Sequence, residues 1–450
     1  MDLSRREVVK GAGALAAVAA VSNMSFVAGK AFAADGDKPL RIGIIGCGGR
    51  GTGAVGDLLS SSENVVLTVM GDIDEAPLNS SYNSLKGWEA KGKFAVKAEN
   101  KFVGYDAIQK VCSHPEVDLV IQTTPPGLRY LTLRAAVENG KHSFVEKPVC
   151  VDAFTYDHVR ASGKMAEEKG LGIVCGLQYR RENSYKAAIQ KVWDGAIGEV
   201  VSAQSYYQSS IPWITKGYGV KQGWTQDDMD YQLRNWLSFT WLSGDCITEQ
   251  DIHSLDAIVW ALKGPPTKAY ANGGRQEPIR SGVGDGFDSF AVDYTFKNLQ
   301  GNEIQVAFYG RQIPGADGKN FNRIVGTKGY MDFFPNPGNS RALMFEHGNP
   351  KPVWSTDDIA KHNPYQTEHA ENIAAIRAGK PLNDIPWVSD SSLACVIGRE
   401  SAYSGQVLKW KPFVDSKFRI GTDKLASGKA ELGVKGVRVP GQYKVPGYVK

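Results

Sequence analysis

The sequence predicts an α/β protein, with a doubly wound domain on a parallel sheet followed by a domain of longer, one-sided strands. Three observations carry this. The apolar run Leu40–Ile45 passes directly into Gly46-Cys47-Gly48-Gly49-Arg50-Gly51. Short apolar runs then alternate with helical stretches as far as Cys175. Beyond about residue 178 the runs lengthen and alternate apolar with polar, as in residues 290–296 and 304–309, the pattern of a sheet with one covered face. A chain of 450 residues is long enough for two hydrophobic cores.

Composition narrows the class. Hydrophobic residues at 42% and charged residues at 22% belong to a folded globular chain and exclude a disordered or fibrous one. The net charge of +4 is too small to imply a nucleic-acid partner. Cys47, Cys112, Cys150, Cys175, Cys246 and Cys395 are scattered, with no CxxC pair. They read as small buried hydrophobes, and no metal site is expected.

Residues 1–34 read as an export signal. Arg5-Arg6 precede an apolar Ala/Val/Gly stretch too short to anchor in a membrane, and Ala31-Phe32-Ala33 offers a small-x-small cleavage site. The alternative is an amphipathic cytosolic start, but there is no acid between Glu7 and Asp35. The paired arginines resemble a twin-arginine signal, so a periplasmic or otherwise exported protein, cut near Ala33, is expected. Such signals carry proteins already folded, usually around a cofactor.

Each element of the first domain, residues 38–176, has a local reason. Leu40–Ile45 is a buried parallel strand. Gly46, Gly48 and Gly51 fit G-x-G-x-x-G: a tight turn, close approach to a pyrophosphate, and close packing of helix on strand. The helix beginning near Arg50 aims its free N–H groups at phosphate. The run at 65–70 ends at Asp72, about 20 residues after Gly51, where an acid binds the adenosine ribose. Asp72, Asp74 and Glu75 would repel a 2′-phosphate, so NAD is expected in preference to NADP. A strand at 117–122 closes in Thr123-Thr124-Pro125-Pro126. Another at 143–145 closes in Glu146-Lys147-Pro148, and a helix at about 153–169 leads to a strand at 171–175. Ligands of open α/β sheets sit at the carboxyl ends of the strands. Gly46, Gly48, Gly49, Arg50, Gly51, Asp72, Thr124, Pro125, Glu146 and Lys147 all fall there and form the expected cofactor site.

These motifs together resemble the Gfo/Idh/MocA oxidoreductases. The resemblance extends through Gly176-Leu177-Gln178-Tyr179-Arg180-Arg181, Gly195-Ala196-Ile197-Gly198-Glu199, the stretch from Glu249 to His253 and Asp256, Glu368-His369 and Gly398-Arg399-Glu400. It covers roughly residues 39–410. It implies a second domain, residues 177–410, of α+β type with a large, mostly antiparallel sheet whose open face associates copies into a homo-oligomer. It further implies hydride transfer between a hydroxyl carbon of a small sugar, polyol or glycoside and a nicotinamide cofactor. A periplasm offers no steady supply of free NAD, so the cofactor is expected to be tightly held and recycled by a second sugar. A glycoside hydrolase working by transient oxidation and elimination is the alternative, and a non-catalytic sensor a third reading.

The resemblance places Lys147 beside the reacting hydroxyl, with His253 as the neighbouring base. Members commonly carry Asp four residues before this His; here Glu249 stands there. If the two share a helix face, Glu249 orients His253. Arg129 stands where many members have His; it either selects an anionic sugar or pairs with a carboxylate. Between Tyr206 and Trp241 the chain is dense in aromatics: Tyr207, Trp213, Tyr218, Trp224, Tyr231, Trp236 and Trp241. Such rings suit the C–H faces of a sugar, or equally a core. Arg129, Arg180, Arg234, Asn235, Trp236 and His253 are the expected substrate contacts. Residues 411–450, rich in Lys, Gly and Pro, read as an extended arm, wrapped on a neighbouring subunit or without fixed structure.

Overall fold

The computed structural model describes residues 38–210, 221–276 and 283–449. The expected export signal, with Trp213 and Tyr218, lies outside the described residues.

Among the described residues the first sheet has six parallel strands: β1 (Leu40–Ile45), β2 (Val65–Asp72), β3 (Lys101–Val103), β4 (Leu119–Gln122), β5 (His142–Val145) and β6 (Ile173–Cys175). Their order is β3-β2-β1-β4-β5-β6, the doubly wound arrangement. The edge strand β3 has no apolar run to announce it. Register is what matters for the site. Ile45 pairs with Gly71 on one side and Gln122 on the other, so the strands end level. Gly46, Asp72 and Thr123 therefore emerge side by side. Alternate residues fill two cores: Ile42 and Ile44 pack with Leu58 on one face, and Ile45 and Val69 with Val111 on the other. All six cysteines are buried and free.

The second sheet joins β7 (Val200–Ser209), β8 (Lys268–Gly274), β9 (Ser289–Lys297), β10 (Glu303–Gln312), β11 (Lys319–Gly326), β12 (Gly329–Phe334), β13 (Arg341–Glu346), β14 (Trp354–Ser355) and β15 (Leu408–Lys409). The order is β14-β13-β12-β11-β7-β10-β9-β8-β15, antiparallel throughout except for the parallel β7–β10 pair. The expected mostly antiparallel sheet is present. On β9, Phe290, Val292 and Tyr294 point into the core, alternating with exposed Ala291 and Asp293.

The boundary near residue 177 is not a clean cut. The helix Pro364–Arg377 returns to the first domain and places Ile373 and Ile376 in its core. The helix Ile385–Ser404, buried along most of its length, packs against both the Ala153–Lys169 helix and the second sheet.

The C-terminal arm has fixed structure and packs on its own chain, which corrects the reading without fixed structure. Ile420 N–H donates to Asp152 Oδ2 at 2.9 Å, and Tyr443 Oη donates to Glu400 Oε2 at 2.9 Å. Arg438 forms a buried ion pair with Asp285. Phe418, Ile420 and Val445 are buried in the main core. Among the described residues no helix is long and apolar enough to cross a membrane.

Candidate active site

The glycine-rich loop is built by close approach. Gly46 has φ +90°, and a Cβ there would press on the Thr123 backbone. A Cβ on Gly51 would overlap the Gly46 carbonyl oxygen and the Thr123 hydroxyl. Gly48 and Gly49, by contrast, face open space. The helix Gly49–Ser61 begins there with no side-chain cap, so its first N–H groups are free for an anion. Asp72 braces the loop from β2, accepting from Cys47 N–H at 2.6 Å and Asp74 N–H at 2.9 Å.

A cavity of about 440 Å³ opens above this loop, lined among others by Gly46, Gly48, Gly49, Asp72, Thr124 and Pro125. The free N–H groups, the missing Cβ atoms and the acid on β2 fit a nicotinamide dinucleotide, its pyrophosphate on the loop and its adenosine toward Asp72. Gly51→Ala is expected to shift the loop and weaken nucleotide binding by about 10- to 100-fold, the ~1–3 kcal/mol of an overpacked contact. Calorimetric titration with NAD checks this; an unchanged affinity would show that the loop is not the binding surface.

At the end of β5 the chain places Glu146 and Lys147. Arg50 Nε meets Glu146 Oε1 at 3.2 Å, tying the glycine loop to this segment. Lys147 Nζ donates to Glu249 Oε1 at 2.9 Å and also to the Glu249 carbonyl. Each side chain of this pair is only 10% exposed. Burial pushes the Glu249 carboxyl up, against the pull of Lys147 and Arg129. The His253 ring meets Tyr179 edge-on at 5.7 Å, and its Nδ1 is buried without a partner. Burial pushes this imidazole well down, and the Lys147 charge adds to the effect, so the ring is neutral at ordinary pH. The site thus sets Lys147, paired with Glu249, near a neutral imidazole at the end of β5, beside the β4 end whose Thr123–Pro125 turn lines the cavity.

Residues 40–176 match the model of the oxidoreductase family with an NAD-binding Rossmann fold, GFO_IDH_MocA. Over this first domain the chain is similar to the Gfo/Idh/MocA oxidoreductases. It is 24% identical over 250 residues to the NADP-dependent scyllo-inositol 2-dehydrogenase of Bacillus subtilis, a stretch spanning 56% of this chain and 61% of that one. Its fold is similar to that of aldose–aldose oxidoreductase from Caulobacter crescentus, with TM-score 0.62 and 18% identity over 83% of this chain and all of that one. It is also similar to scyllo-inositol dehydrogenase from Lactobacillus casei, solved with NAD(H) and scyllo-inositol, at TM-score 0.57 and 16% identity over 83% and 99% of the two chains.

The structure places the other expected site residues as follows. Glu249 and His253 do not share a helix. The turn Cys246–Glu249 ends, Asp251 caps a new helix, and His253 lies in the first turn of Ile252–Leu262. The break hands Glu249 to Lys147. Arg129 is buried, donates to the Pro148 carbonyl, and has Glu249 and Glu146 as nearby charges. It therefore holds the Lys147 segment in place. Arg180 forms a two-pronged pair with Asp256 at 2.9 and 2.8 Å and lies 3.9 Å from the centre of the Trp387 ring, in a separate cleft with Trp193 and Trp260. Asn235 is fully buried and caps the Tyr231 carbonyl at 2.9 Å. Arg234 and Trp236 line the nucleotide cavity, and Arg234 pairs with Asp74 at 2.9 Å.

Further polar groups surround Tyr179, the ring that meets His253. Tyr207 Oη donates to Gln250 Oε1 at 2.8 Å, and Gln178 Nε2 donates to Tyr365 Oη at 3.2 Å. Burial pushes the Tyr179 and Tyr207 hydroxyls far up, and each also feels Tyr365. Gln178 stands within a motif and was the available signal. Tyr365 lies on the same helix as the Glu368-His369 motif, three residues before it. Among the described residues no His, Cys, Asp and Glu group is arranged to hold a metal.

Proposed function

We propose that the protein is a nicotinamide-dependent oxidoreductase that exchanges hydride with a hydroxyl carbon of a small sugar, polyol or glycoside. The observation that carries this is the buried Lys147–Glu249 pair, with neutral His253 near it, at the end of β5 beside the β4 turn that lines the nucleotide cavity. A bound nicotinamide supplies the hydride acceptor. Lys147 Nζ holds the substrate hydroxyl and stabilises its developing negative charge; the neutral His253 ring takes the proton. In the return half-reaction a carbonyl sugar takes back hydride and proton. The relatives named above act on inositols and aldoses, which supports a polyhydroxylated substrate.

NAD is preferred because Asp72 and Asp74 face the adenosine end and would repel a 2′-phosphate. The Arg234 charge there is already matched by Asp74. The twin-arginine signal in residues 1–34 directs export to the periplasm. Copies associate through the open sheet face, where Tyr206 and Tyr309 stack at 5.2 Å and Phe334 is exposed.

The first experiment is to purify the mature protein without added nucleotide, denature it, and assay the supernatant for NAD(H) and NADP(H). Near-stoichiometric NAD supports the reading. No nucleotide, and no uptake of added NAD, would end it in favour of a sensor. Aglycone release from a chromogenic glycoside without net NADH would turn it toward the hydrolase.

A further inference from the structure

Part of the lining of the nucleotide cavity comes from outside the first domain. Leu233, Arg234 and Trp236 line it from the helix Met229–Arg234 and the turn that follows, and Leu425 lines it from the C-terminal arm. These two segments are joined to each other. Met229 N–H donates to the Gly428 carbonyl and Ala430 N–H to the Asp227 carbonyl, both at 2.8 Å, a short antiparallel bridge. Ser427 Oγ donates to Asp230 Oδ2 at 2.6 Å.

They are also joined to the first domain. Asp230 pairs with Arg234 at 3.3 Å, and Arg234 reaches across to Asp74, just past the ribose-binding end of β2. The Arg234 side chain is 10% exposed, so this link is largely shielded from water and salt. On one side the arm is pinned to the first domain by Ile420 and the buried Asp152. On the other it is pinned to the second domain by Arg438 and Asp285. The arm therefore crosses the cavity as a strap with both ends fixed.

We infer that the C-terminal arm and the Met229–Arg234 helix form a latch over the adenosine end of the groove, closed by the Ser427–Asp230–Arg234–Asp74 chain, that retains the dinucleotide from one turnover to the next. This rests on the proposed nucleotide-dependent function and gives it a physical cause for a resident cofactor. Asp72, Asp74, Arg234 and Leu425 line the groove together, so parting Arg234 from Asp74 and moving Leu425 aside widens it at the adenosine end.

The test is exchange. Purified holoprotein is mixed with excess isotope-labelled NAD, and samples are desalted over time to count the label retained. Wild type is expected to exchange much more slowly than it turns over. Arg234→Ala and Leu425→Ala are each expected to exchange at least tenfold faster. Should either fail to fold, Ser427→Ala removes only the outermost link, and its faster exchange decides. Wild-type exchange as fast as turnover, or folded variants exchanging at the wild-type rate, overturns the latch and leaves the functional reading intact. A wild type that neither carries nucleotide nor takes up NAD overturns both.

Discussion

Lys147→Met is expected to lower kcat by about 10³-fold, within the range seen when a group that handles the reacting proton is removed. Bound nucleotide should be retained, because the glycine loop and Asp72 are untouched. Two effects overlap in this variant and have to be separated. Lys147 is the hydrogen-bond partner of Glu249 Oε1, and Glu249 Oε2 already lacks one. Without the ammonium, Glu249 is a buried carboxyl whose burial already pushes its pKa up, so it takes a proton instead of remaining charged. The single variant therefore loses stability as well as activity. Lys147→Met/Glu249→Gln removes the stranded acid and should regain stability without regaining turnover. Steady-state kinetics on both variants, beside thermal melts, separates the two. A single variant with kcat within tenfold of wild type would remove Lys147 from the chemistry.

The parts of the site that the sequence made legible are those encoded by local spacing. The glycine loop, Asp72, Thr124 and Lys147 each follow a recognisable strand, and the sheet register sets those strand ends level. The parts that were not legible depend on partners far along the chain. Lys147 and Glu249 are separated by 102 positions. Spacing tied Glu249 to His253, but that inference needed an unbroken helix, and Asp251 starts a new one. Arg180 reads as a sugar ligand from its place in the Gly176–Arg181 motif, and Arg234 from its place among aromatic rings. Each also has a carboxylate partner far along the chain: Asp256 for Arg180, and Asp74 of the first domain for Arg234. The arm looked unanchored because Phe418, Ile420, Arg438 and Val445 follow no period. They are separate plugs in separate sockets, and only the fold supplies the sockets.

Arg399→Met is expected to destabilise the fold by about 3–5 kcal/mol, the cost of breaking a buried charged pair from one side. Arg399 is fully buried. Its Nη1 donates to the Gly244 carbonyl at 3.0 Å, and Nη2 donates to the Val151 carbonyl at 2.8 Å. Nε and Nη2 both hold Glu400 Oε1, at 2.9 and 2.8 Å. Val151 follows the Lys147 segment closely, and Gly244 just precedes the turn that carries Glu249. One guanidinium thus ties down, from behind, both halves of the Lys147–Glu249 pair. Glu400 also accepts from Tyr443 of the arm, so the same centre anchors the strap. Arg399→Met should therefore lower the urea midpoint and depress kcat together, although Arg399 touches no substrate. Arg399→Met/Glu400→Gln removes the stranded carboxylate and should recover part of the stability. The two carbonyls stay without their donor, so kcat should remain low. If the single variant lost less than about 1 kcal/mol, the buried centre would be dispensable and the tie between the two domains would lie elsewhere.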